Sequence, residues 1–357
     1  MKMKFSVLTA VALLFASKAH SYSHNGHYLV GAIADQMLAG TPTAGKIKKL
    51  IGTVNLATAA NIPDEIRAWD PDVTKSTKPF KVTKNKKLNS DLKGFLAANQ
   101  TSPDCSGELM HQEYHFTDIE VLNSPKYSAG QVGTNEHDIV HMIGFCIDVL
   151  TGKQSADNPQ KITQPVALVL LVHYVGDVHQ PLHVGAEYFD QNGNPADPNQ
   201  TTPFAADKGG NALKLKLTPS GKSFRNFHHY WDENAVETAT NNWANQIAPS
   251  NPNSVTLDKM ATLLKNSLPN GWSTEPVIDP ATFAVDCANE ILPIAQEAHK
   301  RLSFSSISSN LGGSCPHVTS GDATAPDDYV DYAGGVVADE IQKAGHRLAD
   351  LLQIILQ

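Results

Sequence analysis

The sequence predicts a mainly α protein, a single-domain helical bundle with a small β-hairpin. Apolar residues recur at intervals of three and four through most of the chain, which is typical of helices with one buried face. Alternation of apolar and polar residues is scarce, and its clearest example, residues 213–217, predicts one edge of a hairpin. Because no internal repeat and no linker-like stretch breaks this pattern, we expect one domain.

The predicted helices follow one another along the chain. The first begins near His27 and places Leu29, Ile33 and Leu38 on one face. The same spacing predicts helices at residues 47–51, 139–150, 166–175, 283–302 and 336–356. Stretches rich in Pro, Gly and Asn predict loops at residues 70–79, 190–208, 249–253 and 305–328. Residues 186–206 form a polar insertion, interpreted as part of the rim of a site or as a solvated loop without function.

The N-terminus has the pattern of a secretory signal peptide. Lys2 and Lys4 precede an apolar run over residues 5–16, and the small residues Ala19 and Ser21 flank a cleavage point. This run is too short to span a bilayer, so we expect cleavage after Ser21 and a secreted or periplasmic mature chain, residues 22–357, without a membrane anchor.

The mature chain is acidic. Without its first 21 residues it has 25 Lys and Arg against 36 Asp and Glu, a formal charge of −11. Such a protein does not attract nucleic acid through a long-range field. Any phosphate chemistry must therefore depend on bound cations or on a few placed Arg side chains.

Four cysteines remain in the mature chain: Cys105, Cys146, Cys287 and Cys315. An even number in an exported protein predicts two disulfides, with three possible pairings. A cysteine zinc site is disfavoured because the sequence contains no C-x-x-C.

One segment combines histidine and aspartate at helical spacing. His173 and Asp177 are four residues apart in an otherwise apolar stretch, so one face of a helix presents both. A carboxylate buried there needs a cation or a hydrogen-bond partner. Pro181 ends the helix, and His183 can fold back towards the same centre.

Further imidazoles and carboxylates lie elsewhere in the chain. His228 and Asp232 repeat the spacing of four, and Asp64, His115 and His27 are single candidates. Imidazole and carboxylate are the ligands that zinc takes where thiolates are absent. These residues are therefore candidates for a zinc site.

Other histidines have less specific interpretations. His346 and Asp350 share the spacing and are interpreted as a solvated helix face. Residues 137–141 resemble the H-E-x-x-H of zinc proteases, but Asp138 replaces the Glu and is too short for a good general base. His179 and His229, beside stronger candidates, are interpreted as supporting or structural residues.

Taken in order, these segments resemble the trinuclear-zinc family of single-strand-specific (type I) nucleases and bacterial phospholipases C. The resemblance depends on H-x-x-G-D-x-x-Q-P-L-H from His173, D-x-G-G-N from Asp207 and N-x-H-x-x-W-D from Asn226. It covers essentially the whole mature chain and favours the nuclease branch. The family begins its mature chain with Trp, a position that Tyr22 fills here.

The resemblance implies three zinc ions per chain and a set of site residues. The implied ligands are Asp64, His115, His173 and Asp177 for the first zinc; Tyr22 through its backbone, His27 and the bridging Asp177 for the second; and His183, His228 and Asp232 for the third. Arg67 is implied to neutralise the phosphoryl oxygens and Asn211 to orient the phosphate. Phe116, Asp118 and Lys208 fill the positions of the family's base-contacting residues.

The implied function is that of a secreted, monomeric, zinc-dependent endonuclease. We expect it to act on single-stranded DNA and RNA and on 3′-nucleotides, with 5′-phosphorylated products, because a base in a duplex cannot enter a pocket without leaving its stack. One alternative is a phospholipase C with the same site, which should show apolar surface around the mouth, whereas an accessible Phe116 and Asp118 favour nucleotides. Without the resemblance, Phe116 is equally well interpreted as core packing. Another is a non-catalytic zinc-binding protein, which needs the ligands but not Arg67.

Overall fold

A computed structural model describes residues 22–69, 79–101, 109–123, 125–274, 276–312 and 316–357. The helices are α1 His24–Leu38, α2 Pro42–Ile51, α3 Leu56–Ala59, α4 Ile62–Arg67, α5 Lys86–Ala98, α6 Met110–Glu113, α7 Ile139–Thr151, α8 Gln164–Asp177, α9 Phe227–His229, α10 Val236–Ile247, α11 Leu257–Lys265, α12 Phe283–Lys300 and α13 Tyr329–Ile355. The strands are β1 Ile119–Glu120, β2 Gly185–Ala186, β3 Tyr188–Asp190, β4 Phe204–Ala206, β5 Leu213–Thr218, β6 Ser303–Asn310 and β7 His317–Pro326. Short 3₁₀ turns occupy Pro181–His183 and Pro252–Ser254, and a π-helical turn occupies Tyr230–Ala235. The mainly α fold class is thereby confirmed.

Helix α8 lies at the centre of the bundle. Every residue from Val166 to Asp177 is buried, as expected of a helix that is apolar on all sides. Helices α1, α4, α5, α7 and α13 pack against it. Because its polar side chains cannot reach water, His173 and Asp177 must find their partners on the surrounding helices.

The β structure is more extensive than the predicted hairpin. Strands β3 and β4 pair antiparallel, β7 runs parallel to β4 and β5, and β6 pairs antiparallel with β7. Strand β5 alternates buried and exposed side chains as predicted, and Lys216 bridges Ser223 across a hairpin. The predicted loop at residues 305–328 is wrong, because most of it forms β6 and β7. Strand β6 was missed because it is Ser-rich and mostly exposed, so it lacks the apolar alternation of a half-buried strand.

The polar insertion at residues 186–206 also contributes to this sheet. It contains β3 and β4, and the hydroxyl of Tyr188 donates a hydrogen bond to the backbone oxygen of Asp118 at 2.7 Å. The predicted loop at residues 190–208 is therefore interrupted by a strand. The insertion packs against the segment that carries Asp118 and is not simply a solvated loop.

No disulfide joins the cysteines that the structure describes. Cys146 on α7 and Cys287 on α12 are free and buried, while Cys105 and Cys315 lie outside the described residues. Both free thiols pack in the hydrophobic core, where cysteine behaves as a small apolar residue. Burial raises the pKa of the Cys287 thiol to about 12, so the reactive thiolate is disfavoured.

The predicted signal peptide, residues 1–21, lies outside the described residues. In the described part of the chain, no helix combines the length and apolar character needed to cross a bilayer.

Candidate metal centre

The two polar side chains of α8 meet at the centre of a group of imidazoles and carboxylates. His173 Nε2 lies 3.1 Å from Asp177 Oδ2, and both side chains are fully buried. The two oxygens of Asp177 point to different neighbours: Oδ1 lies 3.2 Å from His27 Nε2, and Oδ2 lies 2.9 Å from His115 Nδ1. One carboxylate therefore contacts residues from three separate segments.

Helix α1 brings His27 to this centre. The rings of His27 and His173 stack with their centroids 4.0 Å apart. Gly176 makes this approach possible, since a Cβ at that position would lie only 2.8 Å from His27 Nδ1. His27, His173 and Asp177 form the first of three groups whose potential ligand atoms all lie within 4.8 Å of one another.

The second group combines α4 and the segment after α6 with α8. It consists of Asp64, His115 and His173. His173 Nε2 lies 3.9 Å from Asp64 Oδ1 and 3.0 Å from His115 Nδ1. His173 is thus common to the first and second groups, which lie side by side.

The third group forms after α8 ends. His183, in the 3₁₀ turn that begins at Pro181, folds back as predicted and joins His228 and Asp232. His228 Nε2 lies 3.3 Å from Asp232 Oδ2, and His183 Nε2 lies 3.9 Å from Asp232 Oδ1. His183 Nδ1 also lies 3.9 Å from Asp177 Oδ1, so this group borders the first.

Backbone carbonyls hold three of the imidazoles in one tautomer. The Nδ1–H of His173 donates to Ala60 O at 2.6 Å, that of His183 to His115 O at 2.7 Å, and that of His228 to Gly209 O at 2.8 Å. Since a carbonyl only accepts, each Nδ1 carries a hydrogen, and in the neutral ring Nε2 is then the lone-pair atom that faces its group. This is the arrangement in which histidine ligates a metal.

Gln180 supports the third group in a way that the sequence motif did not reveal. Its Nε2 donates to Asp232 Oδ1 at 2.8 Å, and its Oε1 accepts from Leu182 N. This side chain therefore orients the carboxylate of Asp232 and fixes the turn that carries His183. In the sequence, only the position of Gln180 in the H-x-x-G-D-x-x-Q-P-L-H run marks this residue.

The ionisation states of residues in the three groups favour a bound cation. Burial lowers the pKa of His115 to about 4, and burial together with His183 lowers that of His228 to about 3, so both are neutral at pH 7. Burial opposes ionisation of Asp177, but His173 and His183 outweigh it and hold the pKa of that carboxyl well below its usual range. Burial instead raises the pKa of Asp232 well above its usual range. A bound cation would stabilise the charged form of Asp232.

Buried polar atoms without hydrogen-bond partners also indicate a cation site. Asp177 Oδ1, His183 Nε2 and Asp232 Oδ2 are buried and have no hydrogen-bond partner among the described residues. Buried polar atoms are normally satisfied, so such atoms in facing positions need an explanation. A nitrogen- and oxygen-donor set of this kind fits zinc.

Tyr22 lies against the first and third groups. Its side chain is fully buried, its ring lies edge-on to His27 at 6.2 Å, and its hydroxyl donates to His179 O at 2.8 Å. The next residue, Ser23, donates its backbone N–H to Asp232 O at 2.8 Å. The first described residue is therefore fixed beside the predicted ligands.

Arg67 and the turn that carries Asn211 contact candidate ligands, Asp64 and His228 respectively. Arg67 Nη1 is 3.6 Å from Asp64 Oδ1, one turn along α4. Asn211 Nδ2 donates to Lys208 O at 3.0 Å, within a turn where Lys208 adopts a φ of 58°. Phe116 is half-buried.

A buried polar cluster behind the D-x-G-G-N loop was not predicted. His299 Nε2, on α12, lies 3.5 Å from Asp207 Oδ2, and the Glu187 backbone N–H donates to Asp207 Oδ1 at 3.2 Å. Burial lowers the pKa of His299, but Asp207 and Glu187 outweigh it, so the net shift is upwards. The His299 ring also packs on Phe227, which precedes His228. His299 therefore contacts Asp207 at the start of the loop and Phe227 beside His228, although no local sequence pattern indicates this role.

The protease-like motif at residues 137–141 and the His346 side chain have structural roles. Asp138 caps α7 by accepting from the His141 backbone N–H at 3.0 Å, and His137 pairs with Glu113 at 2.7 Å. The interpretation of His346 as part of a solvated face is wrong: its ring is buried between helices and donates to Leu264 O at 3.1 Å. The 137–141 motif and His346 therefore both form structural contacts within the helical bundle.

His179 also has the structural role that was expected. Its Nδ1 donates to Val175 O at 2.7 Å, and its Nε2 accepts from the guanidinium of Arg347 at 2.9 Å. The ring therefore ties the end of α8 to α13, while its backbone oxygen holds Tyr22.

Comparison with known proteins identifies relatives that are all named as nucleases or endonucleases. The profile of the family described as S1/P1 Nuclease matches residues 22–357. Endonuclease 4 of Arabidopsis thaliana is 23% identical over 258 residues, which cover 71% of this chain and 65% of the relative. Endonuclease 2 of the same plant is 25% identical over 172 residues, which cover 45% and 49%. Nuclease S1 of Aspergillus oryzae is 24% identical over 286 residues, which cover 75% and 82%.

The plant matches span about half to two thirds of the relatives' own lengths. The family profile, in contrast, covers the chain from Tyr22, the residue beside the metal centre, to its last residue. The chain belongs to the S1/P1 nuclease family.

Proposed function

We propose that the chain is a zinc-dependent phosphodiesterase that cleaves single-stranded DNA and RNA to 5′-phosphorylated products and also acts on 3′-nucleotides. The observation that carries this proposal is the convergence of three adjoining His/Asp groups. The first two share His173, and His183 of the third lies 3.9 Å from Asp177 of the first. Family membership adds that the relatives bear the names endonuclease and nuclease.

The proposal assigns three zinc ions to the three groups. Asp64, His115, His173 and Asp177 would hold one; His27, Asp177 and the backbone of Tyr22 a second; and His183, His228 and Asp232 the third. When bound, zinc supplies Lewis acidity towards phosphoryl oxygens and towards water. The fit is supported by the unsatisfied Asp177 Oδ1, His183 Nε2 and Asp232 Oδ2 and by the fixed Nδ1 tautomers.

Tyr22 takes part through its backbone only if the preceding residues are removed. We therefore propose cleavage after Ser21 during export, which frees an α-amine at Tyr22. The buried ring and the hydrogen bond from its hydroxyl to His179 O support this assignment, because they fix residue 22 beside the other donors.

Arg67 and Asn211 are proposed to act on the phosphate. The guanidinium of Arg67 lies 3.6 Å from a carboxylate of the centre and is 13% exposed, so it can face an incoming anion. There it would stabilise the negative charge that develops on the phosphoryl oxygens. The Asn211 side chain, held in the turn after Lys208, would fix the orientation of the phosphate.

Phe116, Asp118 and Lys208, which fill the family's base-contacting positions, are proposed to bind the base. A half-buried ring such as that of Phe116 offers one face to a base, and stacking tolerates every base because each has a π-face. Asp118 can accept a hydrogen bond from a base edge. Only an unpaired base can enter such a pocket without disrupting a duplex.

The test compares substrates and metal content. Protein that begins at Tyr22 is incubated with heat-denatured DNA, native duplex DNA and phosphatidylcholine vesicles, each with and without a chelator, and its zinc is counted by elemental analysis. We expect three zinc ions per chain and chelator-sensitive cleavage of denatured DNA. Hydrolysis of phosphatidylcholine alone would instead assign a phospholipase C, and zinc without any hydrolysis a non-catalytic zinc-binding protein.

A further inference from the structure

A group of exposed lysines lies outside the metal centre and has no part in the proposed chemistry. Residues 79–101 contain five Lys and one Asp, whereas the chain from Tyr22 onward has a formal charge of −11. Lys81, Lys84, Lys86 and Lys93 surround a surface pocket of about 550 Å³. We call these four residues the lysine patch. It is a positive area on an otherwise acidic protein.

The carboxylates that the structure describes do not neutralise the patch. Lys87 pairs with Asp91 at 2.8 Å, which uses the one acidic residue of this stretch. None of the four patch lysines forms an ion pair with a described residue. Their charges are therefore available to an anion from solution.

The backbone beneath the patch is fixed. The Asn85 side chain caps α5 by accepting from Lys87 N and Leu88 N, and it donates to Ile51 O at 3.1 Å. Asn89 accepts from Thr83 N and donates to Thr83 O, each at 2.9 Å. The lysine side chains thus extend from a preorganised loop, so little backbone entropy is lost when they bind a ligand.

An aromatic pair connects the patch to the metal centre. Phe80 forms part of the pocket wall, and its ring lies 5.0 Å from that of Trp69. Trp69 follows Arg67 by two residues, which limits the distance between their Cα atoms to about 7 Å. Both aromatic rings pack on the core and on each other, so the pocket wall is held close in space to the segment that carries Arg67.

We propose that the lysine patch binds the sugar-phosphate backbone of a single-stranded nucleic acid whose scissile phosphate lies at the metal centre. This proposal rests on the proposed nuclease function and adds a second contact region for long substrates. At physiological salt, charges are screened beyond about 8 Å, so a strand close to the patch interacts with these lysines more than with the net negative charge. Phe80 adds an aromatic face, which single-strand-binding surfaces combine with basic groups.

A lipid surface fits these features less well. Basic segments that bind membranes combine Lys with exposed apolar side chains that enter the bilayer. The large hydrophobic residues that the structure exposes are Leu122, Leu268, Val277, Val285 and Ile354. None of them lies among residues 79–101, where the lysines instead surround a pocket.

The test uses two charge-matched variants of the zinc-loaded protein. The patch variant carries Lys81→Ala, Lys84→Ala, Lys86→Ala and Lys93→Ala. The control carries Lys126→Ala, Lys153→Ala, Lys259→Ala and Lys300→Ala, which removes four exposed lysines from other elements. Binding of a fluorescent, phosphorothioate-linked 30-nucleotide strand is followed by anisotropy at several salt concentrations, and kcat/KM is measured for a dinucleotide and for a 30-nucleotide strand.

The patch variant is expected to bind the 30-nucleotide strand at least ~10-fold more weakly than the control, with a salt slope that is less negative by about 2.8, or about 0.7 for each of four phosphates. Its kcat/KM for the dinucleotide should match that of the unmodified protein. Equal 30-nucleotide binding by the two variants would overturn the proposal, as would an equal loss on the dinucleotide.

Two further measurements separate the remaining explanations. Thermal unfolding followed by circular dichroism shows whether the patch variant is folded, and Lys84→Ala with Lys93→Ala provides a milder variant if it is not. Loss of binding to phosphatidylserine vesicles with retained strand binding would assign the patch to anionic lipid and reject the proposal. Absence of cleavage of any nucleic acid would refute the proposed function, whereas the anisotropy comparison tests the patch itself.

Discussion

Replacement of Gly176 by Ala is expected to displace His27 from the metal centre. A Cβ at residue 176 would lie 2.8 Å from His27 Nδ1 and 3.0 Å from its Cε1, whereas ordinary contacts begin near 3.4 Å. One of the two helices, or the ring itself, must therefore move by about 0.6 Å, the difference between 3.4 and 2.8 Å.

The ring has little freedom to make that movement. It stacks on His173 at 4.0 Å, and its Nε2 lies 3.2 Å from Asp177 Oδ1. Overpacking of this kind costs about 1–3 kcal/mol of unfolding free energy. Zinc–ligand distances tolerate only about 0.2 Å, and a misplacement that approaches 1 Å costs on the order of 100-fold in rate.

The assay measures zinc content, cleavage of denatured DNA and urea unfolding in the Gly176→Ala protein. We expect the loss of one zinc, a rate reduced ~10- to 100-fold and a stability lower by about 1–3 kcal/mol. Gly335→Ala on α13 is the matched control, because a Cβ there meets nothing within 4 Å, and helical Gly→Ala stabilises by roughly 0.5–1 kcal/mol. Full zinc content and wild-type cleavage in Gly176→Ala would refute the steric argument.

Three further predictions follow from other contacts. Tyr22→Phe removes the hydroxyl that reaches a backbone carbonyl at 2.8 Å and should lower stability by about 1 kcal/mol; an unchanged urea midpoint would contradict this. Metal-free protein should lose stability as the pH falls from about 6.5 to 4, because His115 and His228, whose pKa values fall to about 4 and 3, take up protons first in the unfolded chain. Urea midpoints at pH 7 and pH 5 check this, and a higher midpoint at pH 5 would show the opposite sign. His299→Gln removes the imidazole that lies 3.5 Å from the buried Asp207 carboxyl, so we expect a loss of about 1–3 kcal/mol in unfolding free energy; a melting temperature equal to that of wild type would exclude a stabilising contact.

Local spacing was sufficient to predict the part of the centre that lies on one segment. His173 and Asp177 share a helix face because four residues make about one turn, and the apolar surroundings indicate that the helix is buried. The helix-breaking effect of Pro181 likewise predicts that the chain turns before His183. Each of these inferences needs only the geometry of neighbouring residues.

Contacts between distant segments could not be predicted from local spacing. The approach of His27 to Asp177 depends on how α1 packs across Gly176, and the role of His299 depends on the position of α12 behind Asp207. The burial of His346 was missed for the same reason, since the helix that covers it, α11, is far away in sequence. Only the family resemblance joined the distant candidates into one set.

The carboxylate of Asp177 faces two sides at once, with Oδ1 towards His27 and Oδ2 towards His115. With zinc bound as proposed on both sides, any change that redistributes its electron density or tilts its plane would alter the affinity of both adjoining positions together. Engineering one position to prefer a different metal, for example by exchanging a neighbouring imidazole, would shift the occupancy of the other as well. In the proposed zinc assignment, metal selectivity is thus a property of the pair of positions, and variants should be screened for both.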